Sequence, residues 1–303
     1  MNLLRNTWKH RVHVIMCLPA VTVLLLFSYV PMAGLVMAFK KFDYQKGIWG
    51  SPWAKLDNFK FLLASGDTFW SMTKNTLMYY LIFTLLGTTL SIVLAIALDQ
   101  FVFKRAGKIF QSIMIVPVFI SFAAVQFIVY AFCSNNGMVN NIIQMFGGDA
   151  VRWYTGAKYW PGILTIVKIW NSVGYGSVLY MAVLAGIDQE LYEAAQIDGA
   201  NKFKQILSIT LPSLIPMITI MLLLSVGSIM HSDTGLFYQV TRNSGILYPT
   251  TRVIDSYVLN AILTTPDYGF TSATTFYQSI VGLVLILISN GIVKKAAPEN
   301  SLF

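Results

Sequence analysis

Six long apolar blocks, separated by polar connections, constrain this chain more than any other feature. They cover approximately residues 13–39, 72–98, 109–132, 161–184, 213–230 and 274–293. A helix needs about 20 apolar residues to cross about 30 Å of hydrocarbon. Only helices and closed barrels satisfy their backbone polar groups in lipid, and blocks of this length exclude barrel strands. The expected fold class is therefore all-α, a polytopic membrane protein with six transmembrane helices. Composition agrees: 56% of residues are hydrophobic and 11% charged, against about 25% charged in soluble domains. No tandem repeat or low-complexity segment is visible, so residues 1–303 read as one transmembrane domain.

The net charge of +8 would suggest nucleic acid or acidic partners in a soluble protein. Here the basic residues sit between apolar blocks, where they set topology. Arg5, Lys9 and Arg11 precede the first block; Lys104, Arg105 and Lys108 crowd the short second connection; Lys294 and Lys295 follow the last block. Basic residues in short loops favour the cytoplasmic side, which places both termini there. Lys40, Lys41, Lys46, Lys55 and Lys60 run against this, in a longer loop that dilutes the signal. The outside loops, near 40–71, 133–160 and 231–272, carry Trp49, Trp53, Trp70, Trp153 and Trp160, residues suited to the water–lipid border. Cys17 and Cys133 fall at ends of helices on opposite faces, too far apart for a disulfide. Cys17 lacks the small residues of a lipoprotein cleavage site before it, and the first block is too long for a removed signal peptide.

Between the fourth and fifth blocks, residues 185–212 read AGIDQELYEAAQIDGANKFKQILSITLP. Asp188 can cap a short helix whose first turns carry Glu190 and Glu193, where a helix N-terminus favours negative charge. Leu191, Ala194, Ala195 and Ile197 give it a small apolar surface. Gly199 permits a turn. Phe203, Ile206, Leu207 and Ile209 follow at helical spacing, and Pro212 ends the pattern before the fifth block. The expectation is a cytoplasmic helix–turn–helix.

This segment resembles the EAA loop of the permease subunits of binding-protein-dependent ABC importers. Glu193-Ala194-Ala195, Gly199, Ile209 and Leu211-Pro212 match that pattern at every position and spacing, and Asp198-Gly199-Ala200 is similar to the sugar-importing branch. Tyr29 to Gly34, Lys46-Gly47-Ile48, Ser51-Pro52-Trp53, Val253 to Val258 and Tyr277-Gln278-Ser279 look like the polysaccharide-type permeases. The extra helices and large outside domain of the maltose transporter's larger permease are lacking. The resemblance implies a subunit of the bacterial cytoplasmic membrane that pairs with a second permease. Two ATPase subunits, an extracytoplasmic solute-binding protein and an oligosaccharide cargo complete what it implies. Glu193, Ala194, Ala195, Asp198, Gly199, Ala200, Ile209, Leu211 and Pro212 would then couple the chain to the ATPase.

The chain carries no phosphate-binding loop, nucleophile elbow or metal-ligand cluster, and His10, His13 and His231 are scattered. It is expected to bind no cofactor and to hydrolyse no ATP, leaving ATP and magnesium to the ATPase. Polar residues within helices mark candidate substrate paths, because lipid disfavours them. In the fourth block Lys168, Asn171, Ser172 and Tyr175 share one helical face, suited to sugar hydroxyls; helix–helix hydrogen bonding beside Gly174 and Gly176 is the alternative. Gln126, Gln278 and Asn290 read as packing residues, and Pro31, Pro117 and Pro216 as kinks. An ion-coupled secondary transporter is the rival class, but it tends to show an inverted repeat and intramembrane acids.

Overall fold

The computed structural model of the chain describes residues 10–64, 66–100, 104–264, 266–296 and 298; Arg5 and Lys9 lie outside them. The regular secondary structure of the described residues is helical apart from one isolated antiparallel bridge, Lys40 with Trp53. Five helical stretches are long and apolar enough to cross a membrane: Arg11–Phe39, Asp67–Asp99, Phe122–Met145, Lys202–Val226 and Tyr268–Lys295. The chain divides into two compact units, Met1–Gly66 with Ala261–Tyr277, and Asp67–Asn260 with Gln278–Phe303.

In the first unit, α1 (Arg11–Leu24) continues through a π turn, Leu25–Tyr29, and a 3-10 segment, Ala33–Phe39. Pro31 cannot donate to the ladder, and the widened turn before it relieves the clash with the preceding carbonyls. No residue of α1 is buried, so this apolar helix needs lipid or another protein against it. Its end is pinned by Asn58 of α2 (Asp57–Ala64), whose Nδ2 donates to the carbonyls of Met37, Ala38 and Lys40 at 3.3, 2.9 and 2.9 Å. That amide satisfies acceptors which a helix end leaves open. Lys40 is buried; its ammonium donates to the Ile48 and Trp49 carbonyls at 3.0 and 2.8 Å and lies 5.2 Å from the Trp53 ring.

The second unit begins with α3 (Asp67–Asp99), 33 residues and therefore about 50 Å long. The third apolar block is not one helix. It is α4 (Lys104–Ile115), a 3-10 turn at Val116–Phe119, an extended step at Ile120 and Ser121, and α5 (Phe122–Cys133). Pro117 removes an amide donor there, and the chain breaks rather than kinks. Beyond it come α6 (Met138–Met145), α7 (Trp160–Leu184) and α8 (Gln189–Ile197), then α9 (Lys202–Val226), α10 (Ile254–Thr264) and α11 (Tyr268–Ala296), the last two except for their part within Ala261–Tyr277, which belongs to the first unit.

At 25 residues, α7 is long enough to span yet is not among the five apolar stretches. Lys168, Asn171, Ser172 and the glycines around Tyr175 dilute its hydropathy. It can carry them because nine of its residues, Asn171 and Ser177 among them, are buried against protein. Two apolar clusters flank that polar middle. One joins Leu164 and Val167 to Tyr79, Val125, Phe237 and Val240; the other joins Tyr180 and Leu184 to Ala95 and Leu214. Between them Gly174 lies against α4 so closely that a Cβ would collide with the Met114 carbonyl. Small residues permit such helix crossings where lipid supplies no hydrophobic drive.

Three sequence expectations need correction here. Trp160 is not a border residue: it is fully buried, with its indole N–H donating to the Trp153 carbonyl at 2.9 Å. The fifth helix ends at Val226 rather than at residue 230, and residues 231–272 are more than an outside loop. A π-helical turn, Gly235–Val240, brings Leu236, Phe237 and Val240 into the core, and Leu247, Val253 and Ile254 are fully buried as well.

Candidate functional site

The 185–212 segment folds locally as its residues dictate. Asp188 caps α8 through a hydrogen bond from the Glu190 amide, 3.0 Å. At the other end Gly199 takes φ +75°. Its amide donates to the Gln196 carbonyl at 3.1 Å, and the Ala200 amide reaches back to the Ala195 carbonyl at 2.9 Å. That pair of bonds is a Schellman ending, which favours glycine. A Cβ at Gly199 would meet nothing within 4 Å, so the backbone angle alone demands glycine.

Asn201 caps the next limb through the Lys204 amide, 2.9 Å. This limb runs into the apolar span that follows without a break, making α9 continuous over 25 residues. A π turn at Ile206–Thr210 precedes Pro212, which sits in the first turn of the following α segment; the proline is absorbed there rather than ending the helix. Tyr192 and Thr210 join the limbs by a hydroxyl pair at 3.0 Å, and buried Gln205 donates to the Ala200 carbonyl at 3.2 Å. Residue-pattern reasoning missed Tyr192, Asn201, Gln205 and Thr210, although an Asn just before a helical run is a recognisable cap signal.

Glu193, Ala194, Asp198, Gly199 and Pro212 are exposed, and Ala195, Ala200, Ile209 and Leu211 half-buried. Leu191, Ile197 and Phe203 are exposed at 53, 87 and 68%. A hollow of about 180 Å³ lies between the limbs, lined by Ala195, Asp198, Lys204, Gln205 and Ile209 among others. The result is a rigid two-limbed knob with an uncovered apolar surface.

The four polar residues of α7 have different surroundings. Lys168 forms an ion pair with Asp233 at 3.1 Å, both side chains about a third exposed or less. Asn171 is buried and donates to the Pro117 carbonyl at 2.8 Å, a partner for the backbone where the α4–α5 break occurs. The Ser172 hydroxyl bonds back to the Lys168 carbonyl at 2.8 Å. Tyr175 is 55% exposed.

Asp233 belongs to the irregular stretch after α9, and a polar cluster holds that stretch. Asp255 accepts from the Ser232 amide at 2.6 Å, the Ser232 hydroxyl at 2.9 Å and Gln278 at 3.2 Å, and lies 3.5 Å from His231 Nδ1. Gln278 also donates to the Met230 carbonyl at 2.7 Å. Broken backbone near a membrane is stable only where protein or trapped water satisfies it; here side chains do so. The hydrogen bond to Asp255 raises the His231 pKa against the opposing effect of burial. Burial pushes Asp255 upward, but the bonds from His231, Ser232 and Gln278 outweigh it and hold the carboxyl below its usual range. Among the described residues no group of three or more His, Cys, Asp or Glu side chains is placed to hold a metal ion.

Comparison with known proteins places this geometry. Residues 87–298 match the family described as binding-protein-dependent transport system inner membrane component. The protein LplB of Bacillus subtilis (strain 168) is 31% identical over 300 residues, covering 98% of this chain and 91% of LplB. The polygalacturonan/rhamnogalacturonan transport system permease protein YteP of the same organism is 29% identical, covering 94 and 88% of the two chains. Among solved structures, a chain of the bacterial alginate ABC transporter superposes with a TM-score of 0.86 at 30% identity, covering 98% of each chain; it was solved with an alginate pentasaccharide-bound periplasmic protein.

Proposed function

This chain belongs to the family of binding-protein-dependent transport system inner membrane components, and from that premise we propose how it works as a permease. It is a membrane-spanning subunit of an ATP-driven ABC importer of saccharides, working with a partner permease and a binding protein that delivers the cargo. The relatives are named for acidic polymers such as polygalacturonan and alginate, and also for lactose. Saccharide is the chemistry they share, and an oligosaccharide is the cargo we assign here.

Beyond that frame, we place six membrane crossings in one transmembrane domain, counting α7 as the fourth, with both termini in the cytoplasm of a bacterial cell. The 185–212 knob then faces two ATPase subunits, which bind ATP and magnesium and carry out the hydrolysis. The observation that carries this reading is the exposed apolar face of α8, rigidly capped at both ends and fused through Gly199 to a span. A short docked helix that contacts the ATPase differently in its open and closed states can bias the membrane helices. Because α9 is continuous, force applied at α8 and Lys202 enters the fifth span directly. Glu193 serves as the polar anchor, and Ala194 and Ala195 allow close approach. Along the path we assign Lys168, Asn171, Ser172 and Tyr175 to the cargo-facing side; Asn171 and Ser172 also donate to backbone carbonyls and Lys168 pairs with Asp233, so Tyr175, the most exposed of the four, offers the freest surface.

Tagging the chain, purifying it gently from membranes and identifying its companions by mass spectrometry tests the reading. An ATPase and a second permease should accompany the wild type, and the ATPase should be lost from a Glu193→Arg, Gly199→Pro double variant. A well-folded chain that brings no ATPase would overturn it.

A further inference from the structure

Three cations of the second unit are held in different ways. Lys168 is neutralised by Asp233. Arg242 lies 4.5 Å from the centre of the Tyr130 ring. Arg252 lies over two rings, 4.4 Å from the centre of Tyr248 and 4.4 Å from that of Tyr257, and no carboxylate of the described residues comes within ion-pairing distance of it. An aromatic face stabilises a guanidinium without using its in-plane N–H donors, which match a carboxylate two at a time.

The backbone around Arg252 is clamped. Asn75 Nδ2 donates to the Pro249 and Arg252 carbonyls at 3.3 and 3.1 Å, the Tyr79 hydroxyl to the Thr250 carbonyl at 2.7 Å, and the Ile254 amide to Thr76 Oγ1 at 3.2 Å. Asn75, Thr76 and Tyr79 all belong to α3, so the arginine is fixed against the N-terminal part of that helix. At about 50 Å, α3 exceeds the hydrocarbon thickness by roughly 20 Å, and its polar end is the N-terminal one, GDTFWSMTKNT. Arg252 therefore belongs to the part that stands out of the hydrocarbon.

There it opens on a cleft of about 410 Å³, lined by Asp67, Thr68, Ser71, Tyr248 and Arg252 among others. Small-molecule sites commonly measure about 300–1,000 Å³. The lining offers a cation for a carboxylate, a carboxylate and two hydroxyls for sugar hydroxyls, and a tyrosine ring for the apolar face of a pyranose. A lipid phosphate would meet the same Arg252 and the same Asp67 as a saccharide carboxylate, so the membrane composition in the test below separates the two.

We propose that the Arg252 cleft is a receptor for a carboxylate-bearing saccharide on the outer face, and that the cargo of this importer is accordingly an acidic oligosaccharide. The proposal rests on the importer reading, which sets the outer face and the saccharide class.

The test uses the importer purified through this chain, in zwitterionic nanodiscs without its binding protein. Saturation-transfer NMR is recorded with trigalacturonate and with its full methyl ester. Trigalacturonate should take up saturation from the wild type and about tenfold less from Arg252→Gln, as expected when a charged hydrogen-bond partner is removed. Arg252→Lys should retain part of the signal, and the ester should give little with any variant. Retained ATPase co-purification shows that each variant is folded and reports on the importer reading separately. Equal signals from wild type and Arg252→Gln, or none from the wild type, overturn the proposal. So does a signal abolished by phosphatidylglycerol in the nanodisc, which would assign the cleft to a lipid headgroup.

Discussion

Gly199 shows how one backbone angle can decide a functional surface. Its φ of +75° costs a residue with a Cβ about 1–2 kcal/mol, while asparagine visits that region more readily. Gly199→Ala should therefore speed amide exchange in Gln189–Ile197 by roughly five- to thirtyfold, and Gly199→Asn should do so less; identical exchange in all three would show that the turn does not hold the helix. The His231–Asp255 pair gives a pH-dependent prediction. His231 has a raised pKa, so its contribution is complete below the ordinary histidine value and is lost as pH rises through the raised one. Asp255 has a lowered pKa, so its contribution is complete above the ordinary carboxylate value and is lost only in acid, as pH falls through the lowered one. The half-exposed imidazole limits the histidine contribution to about 1 kcal/mol. Melting of the wild type minus that of His231→Gln, followed from pH 6 to 9, should shrink as pH rises; a constant difference would remove the charge from the account. The cap at Asp188 and the turn at Gly199 were legible in the sequence because both are local. The partners of His231 were not: Asp255 and Gln278 come together only through folding.

At the scale of elements, the apolar blocks located the spans but not their interruptions. Periodicity reads residues 109–132 as one helix because every residue there except Pro117 is compatible with one, and a proline can kink a helix without ending it. What breaks it is Pro117 together with a distant donor to its carbonyl, Asn171, 54 positions away in sequence. Likewise Leu236, Phe237 and Val240 lie in a run too short to register as a helix, between glycine and threonine, yet they are buried. The crossing of α4 and α7 gives a prediction at this scale. Gly174→Val must push the Met114 backbone away, and overpacking of this kind typically costs about 1–3 kcal/mol. A Cβ added at Gly162, also in α7, would meet nothing within 4 Å, so Gly162→Ala should be neutral or gain up to about 1 kcal/mol from helix propensity. Thermal unfolding in detergent should separate the two variants; equal melting would mean that the crossing is not close-packed.

For the second unit as a whole, the question is what ties the irregular stretch after α9 to the helix at its centre. Lys168 and Asp233 are 65 positions apart, and their 3.1 Å contact is the ion pair that joins α7 to that stretch. Removing either partner leaves a poorly solvated charge near lipid, which costs more than removing both. If the pair acts as such a tie, Lys168→Met and Asp233→Asn should each lower the melting temperature, and the double variant should recover part of the loss. A double-mutant cycle should give a coupling of about 1 kcal/mol or more. Transport separates this role from cargo binding. A structural tie predicts that uptake recovers with stability in the double variant. A lysine that contacts cargo predicts that uptake stays low whenever Lys168 is absent, however stable the protein. Additive stability losses would instead show two independent charges, and the irregular stretch would then be held by its other contacts, the Asp255–Gln278 cluster and the α3 clamp among them.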